Sequence, residues 1–234
     1  MPRNLLSAIA WPCGLRMFVL LLLLLCVGNS GCIRAGALIG KVLMGDPTIK
    51  ASFELQRGIN LQKGQQKVAV VCSAPASVTA EFDSLAYDVQ EEVTRRMRIH
   101  KLNVASDDDV ISALNRTSGK FDKDAMAAAL EDVDFIIHID IEQFTHTEDG
   151  NPELYHGRAN GIVHAYEVER DPESGGGPHA LQMFFQEFTT EYPKNQPVPA
   201  DQMAARVFRQ KCVDQLSDVV GRMFYDVATT DILF

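Results

Sequence analysis

Histidine and carboxylate side chains alternate with apolar ones along residues 133–146 (VDFIIHIDIEQFTH). Side chains at positions i and i+2 of a β-strand point to the same face. One face of this stretch would therefore be polar, with His138, Asp140, Glu142 and His146. Imidazole and carboxylate groups are ligands that zinc and similar metals accept. His138, Asp140 and His146 are therefore a candidate metal site.

A second alternating stretch, residues 153–170, adds His156, Arg158 and His164 to the same candidate surface. The alternative is a solvated sheet face, on which Asp140 or Glu142 pairs with Arg158 across the strands. Nothing in the sequence fixes three ligands around one point. The pattern therefore favours the solvated face, and the metal site stays a hypothesis.

Motifs for nucleophilic catalysis or phosphate binding are missing from the sequence, which has no G-x-S-x-G, no H-E-x-x-H and no P-loop. Asp107, Asp108 and Asp109 follow Ser106 and fit a first helical turn, where carboxylates complement the helix dipole. The sequence therefore predicts no catalytic residue and no cofactor. It leaves open a hydrolase of an unrecognised type.

The first 31 residues have the pattern of a secretory signal peptide. Arg16 precedes the apolar run MFVLLLLLLCV, which is shorter than the ~20 residues of a spanning helix. Ser30, Gly31 and Cys32 then follow as in a bacterial lipobox, so we expect Cys32 to be lipidated and to begin the mature protein. Asn29 replaces the apolar residue usual at that place, which leaves plain secretion or an uncleaved anchor open.

Charge and cysteine content narrow the function classes further. The formal net charge is −9, and it becomes −11 without the leader, because two arginines and no acidic residue leave with it. An acidic domain is not expected to bind nucleic acid. Cys72 and Cys212 remain after the leader and Cys32 are set aside. They could form a disulfide in an exported protein, or stay free as small apolar side chains.

The chain divides into a leader (residues 1–31), a spacer behind the lipid anchor (32–64) and one periplasmic domain (65–234). In that domain the patterns predict a buried strand Lys67–Ser73, a helix over 83–99, a short strand over 102–105 and two further helices. Three long strands and a closing helix over 200–227 follow. We expect an α/β (α+β) fold with a mixed sheet, a β-α-β start, an antiparallel meander and helices mainly on one face.

The order of these elements resembles a group of uncharacterised lipoproteins predicted from planctomycete-type bacteria. The lipobox, the first strand KVAVVCS, the strand DVDFIIHIDIEQF and the segment YHGRANGIVHAYEVER carry the resemblance. More distantly, the pattern is similar to the α/β domain of curli-secretion lipoproteins, penicillin-binding-protein activator lipoproteins and the N-terminal domain of TolB. The resemblance covers residues 67–225 and implies an envelope protein that binds partners and has no catalytic residues.

We therefore expect a membrane-anchored lipoprotein of the cell envelope that faces the periplasm, with inner or outer membrane undecided. It would be a non-catalytic accessory or scaffold for envelope assembly or transport. Its expected partners are the membrane, through the lipid anchor, and an envelope protein, and a homo-oligomer is left open. The alternative function is binding of a metal or a small ligand at the histidine and carboxylate face.

Overall fold

The computed structural model describes residues 47–170 and 177–229. Thr48–Val227 forms one compact unit. Outside this unit, Thr229 donates its backbone N–H to the Pro47 carbonyl at 2.9 Å. The predicted signal peptide and Cys32 lie outside the described residues and stay predictions. No helix among the described residues is long and apolar enough to span a membrane.

The described residues form six helices and eight strands. The helices are α1 (Ser52–Arg57), α2 (Ala76–Thr79), α3 (Leu85–Ile99), α4 (Asp107–Arg116), α5 (Lys123–Ala129) and α6 (Ala205–Gly221). The strands are β1 (Thr48–Ile49), β2 (Lys67–Ser73), β3 (Asn103–Val104), β4 (Phe135–Glu148), β5 (Asn151–Glu169), β6 (His179–Tyr192), β7 (Val198–Pro199) and β8 (Val227–Ala228).

Six of these strands form one mixed sheet in the order β3-β2-β4-β5-β6, with β7 paired to one end of β5. β2 is parallel to both β3 and β4, while β4, β5 and β6 are antiparallel neighbours. The register places Val68 beside Phe135 and Ser73 beside Asp140. The predicted α/β fold with its β-α-β start and antiparallel meander is therefore confirmed.

One face of the sheet, called the core face below, packs against α1, α3 and α6. Apolar side chains alternate along each strand, and those of one parity enter this core, including Val70, Ile137, Ile139, Val163 and Phe184. α3 adds one apolar stripe, formed by Leu85, Val89, Val93 and Met97, all of which are buried. Burial of these stripes, at roughly 1.5–3 kcal/mol per large side chain, stabilises the packing of the two long helices on the sheet.

The opposite face, called the second face below, is covered over only half its length. There α4 and α5 bury Val110, Ala113 and Met126 against Val71 and Ile136. α4 begins where the Ser106 hydroxyl accepts the Asp109 N–H at 3.1 Å, a cap that satisfies a free N–H of the first turn. β4, β5 and β6 continue beyond these helices, so the rest of the second face is open.

Of the predicted spacer over residues 32–64, the structure describes residues 47–64, and these pack on the domain, while residues 32–46 lie outside the described residues. The compact unit begins at Thr48, and α1 buries Phe53 in the main core, where its ring lies 5.8 Å from that of Phe135 and 5.6 Å from that of Phe184. Leu61 is buried in the same core. Two apolar side chains in a polar segment leave no periodic pattern, although their burial is enough to attach it to the domain.

Candidate functional site

A β-bulge in β4 decides which polar side chains share a face. β4 pairs with β5 residue by residue as far as Ile141, opposite Gly161, and the next pair is Gln143 with Asn160. Glu142 has no partner in this ladder. The extra residue reverses the alternation of the side chains that follow it directly. His138 and Asp140 therefore lie on the second face, whereas Phe144 and His146, the next residues of the same parity, turn to the core face.

Ser73, His138 and Asp140 meet on the second face, beside the edge of the α4 and α5 layer. The Ser73 hydroxyl lies 2.8 Å from His138 Nε2 and 3.1 Å from Asp140 Oδ1. The His138 ring stacks on Phe121 with 3.7 Å between centroids, and the His164 ring lies 6.1 Å away. Parallel pairing of β2 with β4 and antiparallel pairing of β4 with β5 place these side chains together.

Burial determines the protonation state of this cluster. Desolvation lowers the pKa of His138 to about 4, although Asp140 opposes the shift. Burial also lowers the pKa of His164, and it raises the pKa of Tyr166, with Asp140 adding to that rise. At neutral pH the cluster therefore contains two neutral imidazoles and a neutral phenol.

The Ser73 hydroxyl donates its proton to Asp140 Oδ1, and its oxygen can accept the N–H of His138 when the neutral ring carries its proton on Nε2. A catalytic triad needs the carboxylate on the far nitrogen of the histidine, where it orients the ring for proton transfer. Here Asp140 contacts the serine instead. The arrangement is a closed hydrogen-bond network that satisfies polar groups near the edge of a packed layer.

A second polar cluster lies at the far end of the hairpin and joins three strands. His156 is buried with Glu148 as its partner at Nδ1 and with Glu191 Oε1 2.8 Å from Nε2. Arg158 Nη2 donates to Glu148 at 2.9 Å, and Nη1 donates to Asp149 at 3.1 Å. These contacts lower the pKa of Glu148, through His156 first and then Arg158. The cluster ties β4, β5 and β6 together.

His146 lies apart from His138 and Asp140, on the core face beyond the bulge. Its ring meets Phe82 edge-on with 5.1 Å between centroids, and Nδ1 is 3.8 Å from Glu81 Oε1. Burial lowers its pKa. The structure therefore does not bring the three residues of the candidate metal site together. Within residues 47–170 and 177–229, no group of three or more His, Cys, Asp or Glu side chains is placed to hold a metal ion.

Cys72 and Cys212 are both buried free thiols. Cys72 lies on β2, where its N–H donates to Gln90 Oε1 of α3 at 3.2 Å. Cys212 lies on α6 against Gly157 of β5, so close that a Cβ at position 157 would be 2.2 Å from its Sγ. Burial raises the pKa of both thiols, that of Cys212 to about 12. The disulfide that the sequence left open is therefore not formed in this structure.

An open groove of about 310 Å³ lies on the uncovered half of the second face. Amide, hydroxyl and charged side chains line it: Gln143, Thr145, Asp149, Arg158, Asn160 and Thr189, together with Ala159. Asn160 Oδ1 is buried there and has no hydrogen-bond partner. The groove therefore combines polar groups with an apolar share of similar size, and it keeps one acceptor unused.

Sequence reasoning grouped His138, Asp140 and His164 correctly, since all three lie on one face. It missed Ser73 and Phe121, which complete the cluster from other elements. Ser73 ends a buried strand, and that position was the available signal, because side chains at the carboxyl ends of parallel strands meet at one edge of a sheet. No local pattern pointed to Phe121.

No protein-family model matches the chain, and no curated protein matches it. Three solved structures are similar in fold. The PelC dodecamer from Paraburkholderia phytofirmans is 8% identical, with 76% of this chain and 96% of that chain covered and a TM-score of 0.37. The hypothetical protein CT253 from Chlamydia trachomatis is 15% identical, with coverages of 67% and 98% and a TM-score of 0.39. Lipoprotein GNA1162 from Neisseria meningitidis is 10% identical, with coverages of 65% and 99% and a TM-score of 0.34.

One of these three structures is that of a lipoprotein. The finer resemblance to curli-secretion and penicillin-binding-protein activator lipoproteins and to TolB stays a prediction. Because all three TM-scores are below 0.5, these similarities carry no argument about ligand, partner or assembly.

Proposed function

We propose that the chain is a lipid-anchored protein of the cell envelope that works without catalysis, as an accessory or scaffold that binds another envelope protein. The open half of the second face carries this proposal. There β4, β5 and β6 present amide, hydroxyl and charged side chains together with the exposed Phe185, on a sheet whose other side packs against the core. Such a surface can bind a partner without any change in the fold.

The anchor and the open face have separate tasks in this proposal. Lipidation at Cys32 would hold the domain at a membrane and raise its effective concentration for a partner there. The open face would then select the partner through amide, hydroxyl and charged groups. Arg158 is already paired with Glu148 and Asp149, so the surface favours a polar partner over a strongly anionic one.

The test is crosslinking in intact cells, followed by mass spectrometry of the captured proteins. Thr145→Arg places a large charge in the groove, and Glu91→Arg, at an exposed position of α3, is the matched control. We expect a small set of envelope proteins that is lost with Thr145→Arg and with Cys32→Ser but retained with Glu91→Arg. A set that all three variants capture equally, or no set at all, would contradict the proposal.

A second candidate function is binding of a small polar ligand in the same groove. It is supported by the buried, unpartnered Oδ1 of Asn160, because a buried acceptor without a donor costs about 1–3 kcal/mol. Native mass spectrometry of the protein isolated from cells would show a co-purified molecule that Asn160→Leu loses. Its absence from the unaltered protein would contradict this function.

A further inference from the structure

β6 is an outer strand of the six-stranded sheet, and no strand in the described part of the chain pairs with its free side. It is 14 residues long and contains no proline, lysine, arginine or glycine. Outer strands usually carry such residues, or other irregularities, to prevent pairing with another chain. Phe185 near its middle is 63% exposed. The carboxylates of Glu187 and Glu191 are therefore the charged groups that protect the second half of β6.

The beginning of β6 is hydrogen-bonded to another element. The Ala180 carbonyl accepts a hydrogen bond from Lys123 at 2.8 Å, and the Ala180 N–H donates to Asp124 at 2.8 Å. Both partners belong to α5. A bulge then follows, because Gln182 pairs with Tyr166 while the next pair is Phe184 with Ala165. Within the described residues, no backbone hydrogen bond reaches the free side of residues 185–191.

The ladder determines which backbone groups of this segment are free. Val168 donates its N–H to the Asp134 carbonyl, which is toward β4 and away from β6. Residues of an antiparallel strand direct their N–H and C=O alternately to the two sides. Val163 and Ala165 therefore bond to β6, at Gln186 and Phe184. The N–H and C=O groups directed away from β5 are those of Phe185, Glu187, Thr189 and Glu191.

We propose that this free side pairs with β6 of a second copy of the chain, antiparallel and about a two-fold axis at Phe188. In this register Glu187 of one copy and Thr189 of the other exchange both backbone hydrogen bonds. The same holds for Phe185 and Glu191. The two-fold axis runs perpendicular to the sheet, so the open halves of both second faces form one continuous surface.

Charge selects this register over its neighbours. Steps of two residues keep side chains on the same face. If the pairing register is shifted by two residues in one direction, Glu187 lies opposite Glu187 of the second copy. If it is shifted by two residues in the other direction, Glu187 lies opposite Glu191 of the second copy. Like charges directly opposite are destabilising. In the proposed register each carboxylate meets a hydroxyl or a phenyl ring, so the strand is complementary to itself.

The experiment is sedimentation equilibrium of the full chain in a density-matched detergent, over a range of protein concentrations. Thr189→Lys brings an ammonium group opposite Glu187 of the second copy, twice per dimer, and Thr189→Glu brings a carboxylate there. We expect Thr189→Lys to lower the dimer Kd and Thr189→Glu to raise it, each by roughly three- to tenfold. The same two substitutions at Ser77, an exposed residue of α2, should leave the Kd unchanged.

Thr189→Pro tests the pairing itself. Proline has no N–H, and the N–H of Thr189 is not used by β5, so the fold should persist while the Kd rises at least tenfold. Circular dichroism and the unfolding midpoint of each variant report on folding.

Four results would overturn the proposal. The first is a monomer at every concentration. The second is a dimer indifferent to Thr189→Pro. The third is equal effects of Lys and Glu at position 189. The fourth is a monomer whose amides 185–191 resist hydrogen exchange, which would show that a segment of the same chain covers β6.

Discussion

His138 is a buried histidine whose surroundings favour its neutral form. Phe121 covers one side of the ring, and the Ser73 hydroxyl is its hydrogen-bond partner at Nε2. Protonation would place a charge where the protein offers little solvation, and the nearby carboxylate of Asp140 only partly compensates. Protonation of His138 at low pH should therefore destabilise the edge of the α4 and α5 layer.

We expect the stability of the protein to fall as the pH decreases from about 6.5 to about 4. The pKa of His138 is about 4 in the folded state and ordinarily 6.5. In this range the unfolded chain binds a proton that the folded chain does not, so acid favours unfolding. At ~1.4 kcal/mol per pH unit, His138 accounts for at most about 3 kcal/mol.

His138→Gln isolates this contribution, because glutamine keeps a hydrogen bond to Ser73 within reach and does not titrate. Urea unfolding of both proteins at pH 7.5, 5.5 and 4.5 measures it. The variant should lose less stability than the unaltered protein between these pH values, while His146 and His164 contribute equally to both. Identical pH dependence would contradict the prediction.

The contact between Gly157 and Cys212 gives a second prediction for single residues. Gly157→Ala places a Cβ 2.2 Å from Cys212 Sγ, and such overpacking costs about 1–3 kcal/mol. Cys212→Ala removes the sulfur, so the double variant should lose at least ~1 kcal/mol less than the sum of the two single losses. Denaturant unfolding of the four proteins measures this coupling.

Gly161→Ala is the control for that cycle. Its Cβ would lie 2.2 Å from the backbone oxygen of Asp140, which no side-chain substitution removes. Its effect should therefore add to that of Cys212→Ala. If Gly157→Ala is also additive, the close approach of α6 to β5 is not what the glycine provides.

Among the elements, β4 shows how one inserted residue redirects a strand. Before the bulge the side chains of β4 that enter the main core have odd numbers, and after it the buried Phe144 has an even one. Glu142 is the inserted residue: it is exposed and has no partner in β5. Phe144 reaches the core face because this residue is left out of the ladder.

Deletion of Glu142 should therefore be tolerated. It joins Ile141 to Gln143 and keeps Ile141 and Phe144 on the core face, so we expect a folded protein within about 1–2 kcal/mol of the original. Deletion of Asp140 would instead move Ile141 to the second face and Glu142 into the core, which unfolds the domain or costs over ~4 kcal/mol. Thermal unfolding of the two deletion variants decides this, and equal losses would contradict the role of the bulge.

The sequence pattern was sufficient to locate the long elements, because alternation in 133–146 and the apolar stripe of 83–99 are each a property of consecutive residues. It could not reveal the bulge, since Glu142 reads as one more polar position in a regular alternation. His146 was grouped with His138 for that reason. Ser73 and Phe121 approach His138 through pairing of distant segments, which no local period encodes.

At the scale of the whole molecule, the domain begins earlier than composition suggests. α1 covers one end of the core with a single aromatic side chain, and the backbone N–H of Phe53 donates to the Met223 carbonyl at 2.9 Å, near the end of the compact unit. The first and last parts of this unit therefore close the core together.

Phe53→Ala should lower the free energy of unfolding by about 3–5 kcal/mol, because it removes a fully buried ring and leaves a cavity. Leu55→Ala, in the same helix, is the matched control: Leu55 is 69% exposed, and its loss should stay within ~0.5 kcal/mol. Denaturant unfolding of the full chain compares them. Equal small losses would show that residues 48–64 contribute little to the core, as expected of a spacer.

Side chains on the open half of the second face do not pack in either core, so they can change during evolution without disturbing it. Gln143, Thr145 and Thr189 can be exchanged for other polar residues while the packing beneath them is unchanged. Descendants of one ancestral gene could therefore acquire different recognition surfaces by a few substitutions, none of which has to be compensated inside the protein. In this fold, the positions that can vary freely are separated from those that maintain the structure by the thickness of a single β-sheet.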